Sequence, residues 1–143
     1  MALTRPAKDT GNAHRKPAFE TTFLARRDGT MVGPELPDCQ EWNQQARDWY
    51  DMWRRSEIAA ILEPSDWFHL QNVAVLVGLF WSPDVKPSSK VAIHAEIRKC
   101  EASYGATYFD RLVRRIKFVE SQEPSTPEAA ISPVNYEALM EDD

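Results

Sequence analysis

The feature that most constrains the fold is the spacing of tryptophans in the segment EWNQQARDWYDMWRRS, residues 41–56. Trp42, Ala46, Trp49 and Trp53 recur every three or four residues, and polar side chains fill the other side. In an α-helix this spacing puts three indoles and one small residue on a single stripe. The segment is therefore predicted to form an amphipathic helix that buries its aromatic stripe.

A second helix is predicted after Pro64, where the chain must break or restart. Ser65 is its expected N-cap, and the segment DWFHLQNVAVLVGLFW ends before Pro83. VAVLV has strand propensity, so the segment is ambiguous between strand and helix, but its length favours helix. Its second half is apolar on all sides, which indicates burial against neighbouring subunits.

Two more helices complete the prediction. Ser88 or Ser89 is expected to cap the segment KVAIHAEIRKCEASYG, and Gly105 occupies the position of a C-cap glycine. Thr107 is expected to cap the last helix, YFDRLVRRIKFVES. The first helix has its own expected cap in Asp38, because Glu41 follows three residues later as a capping-box partner.

Charge is distributed unevenly, although the net charge of the chain is only −5. Residues 1–27 hold six basic and two acidic side chains, whereas residues 120–143 hold seven acidic side chains and no Lys or Arg. The chain up to Pro37 is rich in Pro, Gly and charge without a sustained period, although FETTFLA within it is compatible with a short strand. A basic head and an acidic tail thus flank a balanced middle.

These patterns predict an all-α fold, a compact bundle of about four helices with a disordered arm and tail. The predicted divisions are a flexible basic arm at residues 1–37, a helical core and oligomerisation domain at residues 38–121, and an acidic tail for partner docking at residues 122–143.

A basic face is predicted on the last helix. On a helical wheel of about 100° per residue, the basic residues lie opposite the apolar ones, with Phe118 among them. One interpretation is a solvated face in which Asp110 pairs with Arg114. The other is a phosphate-contacting surface, since neutralising phosphates requires no base-reading side chain. The candidates on this face are Arg111, Arg114, Arg115 and Lys117, and those on the arm are Arg5, Lys8, Arg15 and Lys16.

Catalytic chemistry has no visible residues in this sequence. Phosphate-binding loops, nucleophile elbows and HExxH motifs are absent, so we expect no enzymatic activity, no metal and no cofactor. Cys39 and Cys100 form no CxxC pair and are interpreted as reduced thiols. No apolar run approaches the roughly 18–20 residues that span a bilayer, and the N-terminus lacks a signal-peptide centre, so a cytoplasmic location is expected.

The tryptophan-rich region supplies the candidate core and oligomer residues. Burial in the core of one chain is the simpler interpretation, because large aromatics dominate small cores. The surplus of apolar surface on the second helix favours association in addition. The candidates are Trp42, Trp49, Trp53, Trp67, Val77 and Trp81.

Taken together, these segments resemble the small terminase subunits of tailed phages that infect actinobacteria. The resemblance covers about residues 38–119 and follows a W…(A/T)R.WW..W.RS helix, a T..DW..L...A.L...(F/Y)W helix and a closing E(I/L)R…GAT..DR segment. The matching positions are Trp42, Arg47, Trp49, Trp53, Ser56, Asp66, Trp67, Leu70, Trp81, Glu96, Arg98, Gly105, Ala106, Thr107, Asp110 and Arg111.

This resemblance implies a non-catalytic helical protein that assembles into a ring, recognises double-stranded viral DNA in the host cytoplasm and regulates a large subunit with ATPase and nuclease activity. It also implies that the basic residues named above face DNA. The tail from Pro133 to Met140 is compatible with a short recognition helix for the large subunit. Its candidate docking residues are Val134, Tyr136, Leu139 and Met140.

Two alternatives remain open at this stage. One is a dimeric helical transcription regulator, in which the segment around Gly105 imitates a helix-turn-helix. The other is a protein-only adaptor or virion component, whose basic face pairs with the acidic tails of its neighbours.

Overall fold

The computed structural model describes residues 19–121. Their elements, in chain order, are strand β1 (Thr22–Ala25), helix α1 (Gln44–Arg55), a 3₁₀ helix (Glu57–Ile61), helix α2 (Pro64–Phe80), helix α3 (Pro87–Tyr104), helix α4 (Tyr108–Arg114) and strand β2 (Ile116–Val119). The predicted all-α bundle of four helices is confirmed. Within the described part of the chain, a short parallel pair of strands accompanies it.

Helix α1 begins later than predicted, because Asn43 rather than Asp38 is its N-cap. The Asn43 side-chain oxygen accepts a hydrogen bond from the Ala46 backbone amide at 3.0 Å, and its amide nitrogen donates to the Gly78 carbonyl at 2.9 Å. One side chain therefore caps α1 and also ties it to α2, a tertiary contact that no local sequence rule includes.

The predicted aromatic stripe of α1 faces the core, and Tyr50, which the predicted stripe did not include, is buried with it. Ala46, Tyr50 and Trp53 are buried, whereas Trp42 and Trp49 are half-buried. The Tyr50 ring packs edge-on against Trp67 of α2, and the Trp53 ring packs edge-on against Tyr104 of α3. These aromatic contacts join three helices around one core.

Helix α2 is helical throughout, so the strand alternative for VAVLV is wrong. Its N-cap is Glu63 with Pro64 in the first turn, and a capping box with Asp66 replaces the predicted Ser65 cap. A proline fits here because the first-turn amide needs no intrahelical partner. The helix buries Trp67, Leu70, Val73, Ala74 and Val77 against α1 and α3.

Helix α3 also begins at a proline, since Lys86 is its N-cap in place of Ser88 or Ser89. Its C-terminus is as predicted, because Gly105 takes a left-handed conformation with φ of 72°. Thr107 caps α4 as predicted, and its hydroxyl accepts a hydrogen bond from the Asp110 amide at 3.2 Å. A turn of only three residues therefore separates α3 from α4.

The prediction that the last helix continues past Arg114 is wrong. Arg115 adopts a left-handed conformation with φ of 54°, and the chain then forms β2. Strand β2 pairs in parallel with β1, so that Leu24 lies opposite Phe118. Pairing of β-branched and aromatic residues with a distant strand has overridden the local helical pattern.

Residues 19–37 lie against the helices, although the sequence assigned them to the flexible arm. Leu24 of β1 is buried in the core, and β1 is the predicted short strand in FETTFLA. Arg27 donates to the Ser56 carbonyl at 2.8 Å, and the Tyr50 hydroxyl donates to the Pro34 carbonyl at 2.9 Å. We therefore propose that the folded domain includes β1 and the segment that follows it, rather than starting at residue 38.

Candidate nucleic-acid interface

A basic groove of about 310 Å³ lies where α4 meets the two strands. We call it the strand groove. Its lining includes Arg26, which follows β1, Arg111 of α4, and Lys117 and Phe118 of β2. The parallel pairing of β1 with β2 brings these cations together from opposite ends of the domain. The remaining lining residues are Tyr108, Leu112, Ile116 and Val119.

Arg111 contacts both the protein backbone and an aromatic ring. Its Nη1 donates to the carbonyl oxygens of Gly105 at 3.1 Å and Ala106 at 2.9 Å, both in the turn between α3 and α4. Its guanidinium carbon lies 4.7 Å from the centroid of the Phe118 ring, and the guanidinium carbon of Arg26 lies 5.0 Å from the same centroid. Cation–π contacts thus hold two guanidinium groups at one aromatic ring.

The other predicted basic residues are placed in different ways. Arg114 donates from Nε to the Ala102 carbonyl at 3.3 Å, and Arg115 donates to the Phe19 carbonyl at 3.1 Å. Lys117 is an exposed residue of β2. The structure therefore brings Arg111 and Lys117 into one groove and places Arg114 and Arg115 beside a second groove, lined by Phe19, Glu20, Val113, Arg114 and Arg115.

The single basic helical face predicted for this region is not present. Because α4 ends at Arg114, Arg115 and Lys117 belong to a turn and a strand. Within α4 the polar residues Asp110, Arg111 and Arg114 contact α3 and the following turn. The opposite side of α4, which we call the α4 apolar face, is exposed and consists of Tyr108, Phe109, Leu112 and Val113.

Asp110 fixes the orientation of α4. Its carboxylate accepts hydrogen bonds from both Arg98 Nη atoms, at 2.9 Å and 2.8 Å, and from the Thr107 hydroxyl at 2.7 Å. These contacts, with that from Arg98 the largest, hold the pKa of Asp110 well below its usual range. The carboxylate is therefore ionised in all but strongly acidic solution. Its bonds to Arg98 keep the polar side of α4 against α3.

Arg26 was not singled out as a site residue by the sequence. Its side chain is paired with Glu57 at 3.3 Å and is 53% exposed, so it keeps donors available to a ligand. The signal that identifies it is the FETTFLA strand, since Arg26 directly follows that strand and the strand pairs with β2. Arg26 and Lys117 are far apart in the sequence, and the pairing of β1 with β2 brings them close together.

The six candidate core and oligomer residues differ in burial, and Trp42 and Trp49 are half-buried. Trp53, Trp67 and Val77 are buried within one chain, and the Trp49 indole donates to Glu101 at 3.0 Å, which links α1 to α3. Trp81 is 55% exposed at the end of α2, although the pattern put it on the buried face. Trp81 is the C-cap of α2 and follows its last helical residue, Phe80.

Apolar residues that the sequence did not single out form an exposed line along α2. At about 100° per residue, Phe68, Val75 and Leu79 share the side opposite the core with the polar Asn72, and Phe68 is 67% exposed. We call this line the α2 outer stripe. Another groove lies beside this stripe, and its lining includes Trp42, Val75 and Leu79.

The remaining candidates lie outside the described residues. They are Arg5, Lys8, Arg15 and Lys16 of the arm and Val134, Tyr136, Leu139 and Met140 of the tail. Within residues 19–121, no group of three His, Cys, Asp or Glu side chains is arranged to hold a metal ion. In the same residues, no helix has the length and apolar character needed to cross a membrane.

The fold and the site define a small helical protein whose exposed chemistry, a basic groove and two apolar surfaces, is that of a protein contacting other macromolecules. The family model described as phage terminase small subunit matches residues 4–138, so the chain belongs to the phage terminase small subunit family. No curated protein and no solved structure matches the chain.

Family membership gives the chain a role in phage genome packaging and confirms the resemblance found in the sequence. The match does not distinguish among phage hosts, so the actinobacterial type stays a prediction.

Proposed function

We propose that this chain recognises double-stranded viral DNA and regulates the large terminase subunit, which supplies the ATPase and nuclease, in the host cytoplasm. The chain itself acts without catalysis or cofactor. The observation that carries the proposal is that Arg26 and Arg111 lie over the Phe118 ring in the strand groove, which Lys117 also lines. Packaging requires that viral DNA be selected, and the family match assigns the chain to packaging.

The strand groove suits a phosphate backbone better than a base edge. Guanidinium and ammonium groups neutralise phosphates and release counterions without reading sequence. Arg26 and Arg111 are already oriented by Phe118, which lowers the entropy that they lose on binding. The arm cations Arg5, Lys8, Arg15 and Lys16 would add contacts to the same backbone.

The α2 outer stripe supports assembly into a homo-oligomer, and we propose a ring. Phe68, Val75 and Leu79 are large apolar residues exposed on one line, and soluble monomers rarely keep such surfaces free. A ring repeats the strand groove around its axis, so that several grooves can engage one DNA molecule.

The tail is proposed to dock the large subunit. Its residues Val134, Tyr136, Leu139 and Met140 fall within a short segment whose apolar spacing suits helical docking into a groove.

The test is DNA binding by fluorescence anisotropy, using Lys117→Ala and a matched control, Lys99→Ala. Lys99 is an exposed cation on α3 that pairs with Glu96 and lies outside the strand groove. We expect Lys117→Ala to weaken binding to all duplex sequences and to reduce the slope of log affinity against log salt by about 1. Lys99→Ala should bind like the wild type.

Equal affinities for the two variants would refute the strand groove as the DNA surface. A stable dimer that binds a palindromic duplex would favour a transcription regulator instead. A wild type that assembles without any DNA affinity, together with a Lys117→Ala variant that no longer assembles, would favour the protein-only adaptor.

A further inference from the structure

The α4 apolar face is the most exposed apolar surface of the domain, and its exposure has no explanation within residues 19–121. Phe109 is 73% exposed and Val113 is 82% exposed. An amphipathic helix normally turns its apolar side to the core. Helix α4 does the reverse, so its apolar side is available to a partner.

This orientation is fixed by strong contacts. The two-pronged Arg98–Asp110 pair attaches α4 to α3, and Arg111 and Arg114 donate to the carbonyls of Ala106 and Ala102. Rotating α4 to bury its apolar face would break all of these contacts. These hydrogen bonds therefore keep the α4 apolar face exposed.

Basic side chains border the α4 apolar face on both sides. On one side, the strand groove brings Arg111 and Lys117 beside Tyr108 and Leu112. On the other, Val113 lines a groove of about 330 Å³ with Arg114 and Arg115, in which Glu20 is the one acidic residue. A partner that matches this surface is a segment with apolar side chains for the α4 apolar face and acidic side chains for its basic borders.

The tail of the same chain has this chemistry. Residues 122–143 contain six acidic residues and neither Lys nor Arg. Four apolar side chains, those of Val134, Tyr136, Leu139 and Met140, cluster between Pro133 and Glu141. Glu137 lies within this cluster, and the other acidic residues of the tail precede or follow it.

The tail also starts in the right place. Strand β2 contacts α4 and ends at Val119, two residues before the last described residue. About a dozen residues separate β2 from this cluster, and a chain of that length can span up to roughly 40 Å, whereas a seven-residue helix is about 10 Å long. The cluster can therefore reach any part of the α4 apolar face from its own chain.

We propose that residues 133–141 dock on the α4 apolar face of their own chain, with the tail carboxylates beside Arg114, Arg115 and Lys117. The docked tail is a second state of the segment proposed above to bind the large subunit, so that subunit would have to displace it. The docking itself depends on neither DNA binding nor the large subunit, and it is tested with neither present.

The experiment is hydrogen exchange measured by mass spectrometry on full-length protein at two concentrations. The test variant is Tyr136→Ser/Leu139→Ser/Met140→Ser, and the control is Gln122→Ser/Thr126→Ser, which alters the tail outside the cluster. We expect amides in residues 108–119 to exchange several-fold faster in the test variant only, at both concentrations. Amides of α1 and α2 should not change.

Two results would overturn the proposal. Unchanged exchange of residues 108–119 in the test variant would show that the tail does not cover α4. Protection that rises with protein concentration and survives in the test variant would show that a second copy covers the face instead. A wild type that binds DNA normally in either case would leave the proposed function standing.

Discussion

Gly33 lies directly against the indole of Trp67, so closely that a Cβ atom at Gly33 would be 2.6 Å from two ring carbons. This contact joins the segment before α1 to the buried start of α2. Gly33 also has a positive φ of 78°, which favours glycine on conformational grounds. Steric and backbone requirements therefore coincide at one residue.

The first prediction compares Gly33→Ala with Gly29→Ala. Gly29 has a similar φ of 85°, but nothing lies within 4 Å of an added Cβ. We expect Gly29→Ala to lower the free energy of unfolding by about 1 kcal/mol through backbone strain alone. Gly33→Ala should lose a further ~1–3 kcal/mol because the indole must move. Urea denaturation measures both, and equal losses would show that Trp67 gives way freely.

The second prediction concerns pH and Asp110. The pKa of Asp110 is depressed in the folded state by Arg98 and Thr107, so its stabilising contribution is present above its ordinary pKa and disappears as pH falls through the depressed value. Asp110→Asn removes this contribution. We expect the variant to have a lower Tm than the wild type at pH 7, with the gap narrowing below about pH 4.

Thermal unfolding followed by circular dichroism from pH 2 to 7 measures this gap. Asp48→Asn is the control, because Asp48 is an exposed residue of α1 whose carboxylate contacts only Gln44 in the described structure. A gap that stays constant over the whole range would contradict the assignment to the ionised carboxylate.

The helices were predictable because their signals are local. Ala46, Tyr50 and Trp53 follow the i, i+4, i+7 spacing of one helical face. The left-handed Gly105 and the Thr107 cap likewise act within a few residues of the helix ends. The start of α1 was not predictable in this way. Asn43 caps it while reaching Gly78 of α2, and only the packed structure brings these residues together.

The site was predicted less well than the fold, for the same physical reason. The residues after Arg114 carry a helical pattern, but they form a strand in which Phe118 lies opposite Leu24 of β1. That pairing moves Lys117 out of the helix and brings Arg26 beside Phe118. Parallel pairing between chain ends leaves no mark in a local window of sequence.

The third prediction tests the α2 outer stripe as a subunit interface. Leu79→Glu introduces a charge on the stripe, and Val91→Glu introduces the same charge at an exposed apolar position of α3. If neighbouring subunits seal the stripe, Leu79→Glu should dissociate the oligomer, because a buried unpaired carboxylate costs several kcal/mol. Native mass spectrometry reports the mass of each assembly. An intact oligomer in the Leu79→Glu variant would place the interface elsewhere.

The fourth prediction concerns the two thiols. Cys39 is exposed, whereas Cys100 is buried, and burial raises the pKa of the Cys100 thiol to about 11. Because the thiolate is the reactive form, only Cys39 should react with a thiol reagent at pH 8. Urea should expose the second thiol in parallel with the unfolding transition. Rapid reaction of both thiols without denaturant would contradict the burial of Cys100.

The fifth prediction separates structural from DNA-binding roles within the strand groove. Arg111 donates to two carbonyls in the turn between α3 and α4 and lies over the Phe118 ring, so Arg111→Ala removes these hydrogen bonds and this contact. Lys117 is exposed on β2, and its replacement removes charge with little loss of packing. We expect Arg111→Ala to lower both the Tm and DNA affinity, and Lys117→Ala to lower DNA affinity alone.

Arg111→Lys sharpens this comparison, because lysine keeps the charge but cannot reproduce the planar contact with Phe118 and both carbonyls. If charge alone matters for DNA, Arg111→Lys should bind DNA more tightly than Arg111→Ala while its Tm stays below that of the wild type. Scanning calorimetry and anisotropy titrations on the same samples measure the two properties. Full DNA affinity in Arg111→Ala would mean that this guanidinium serves only to join α3, α4 and β2.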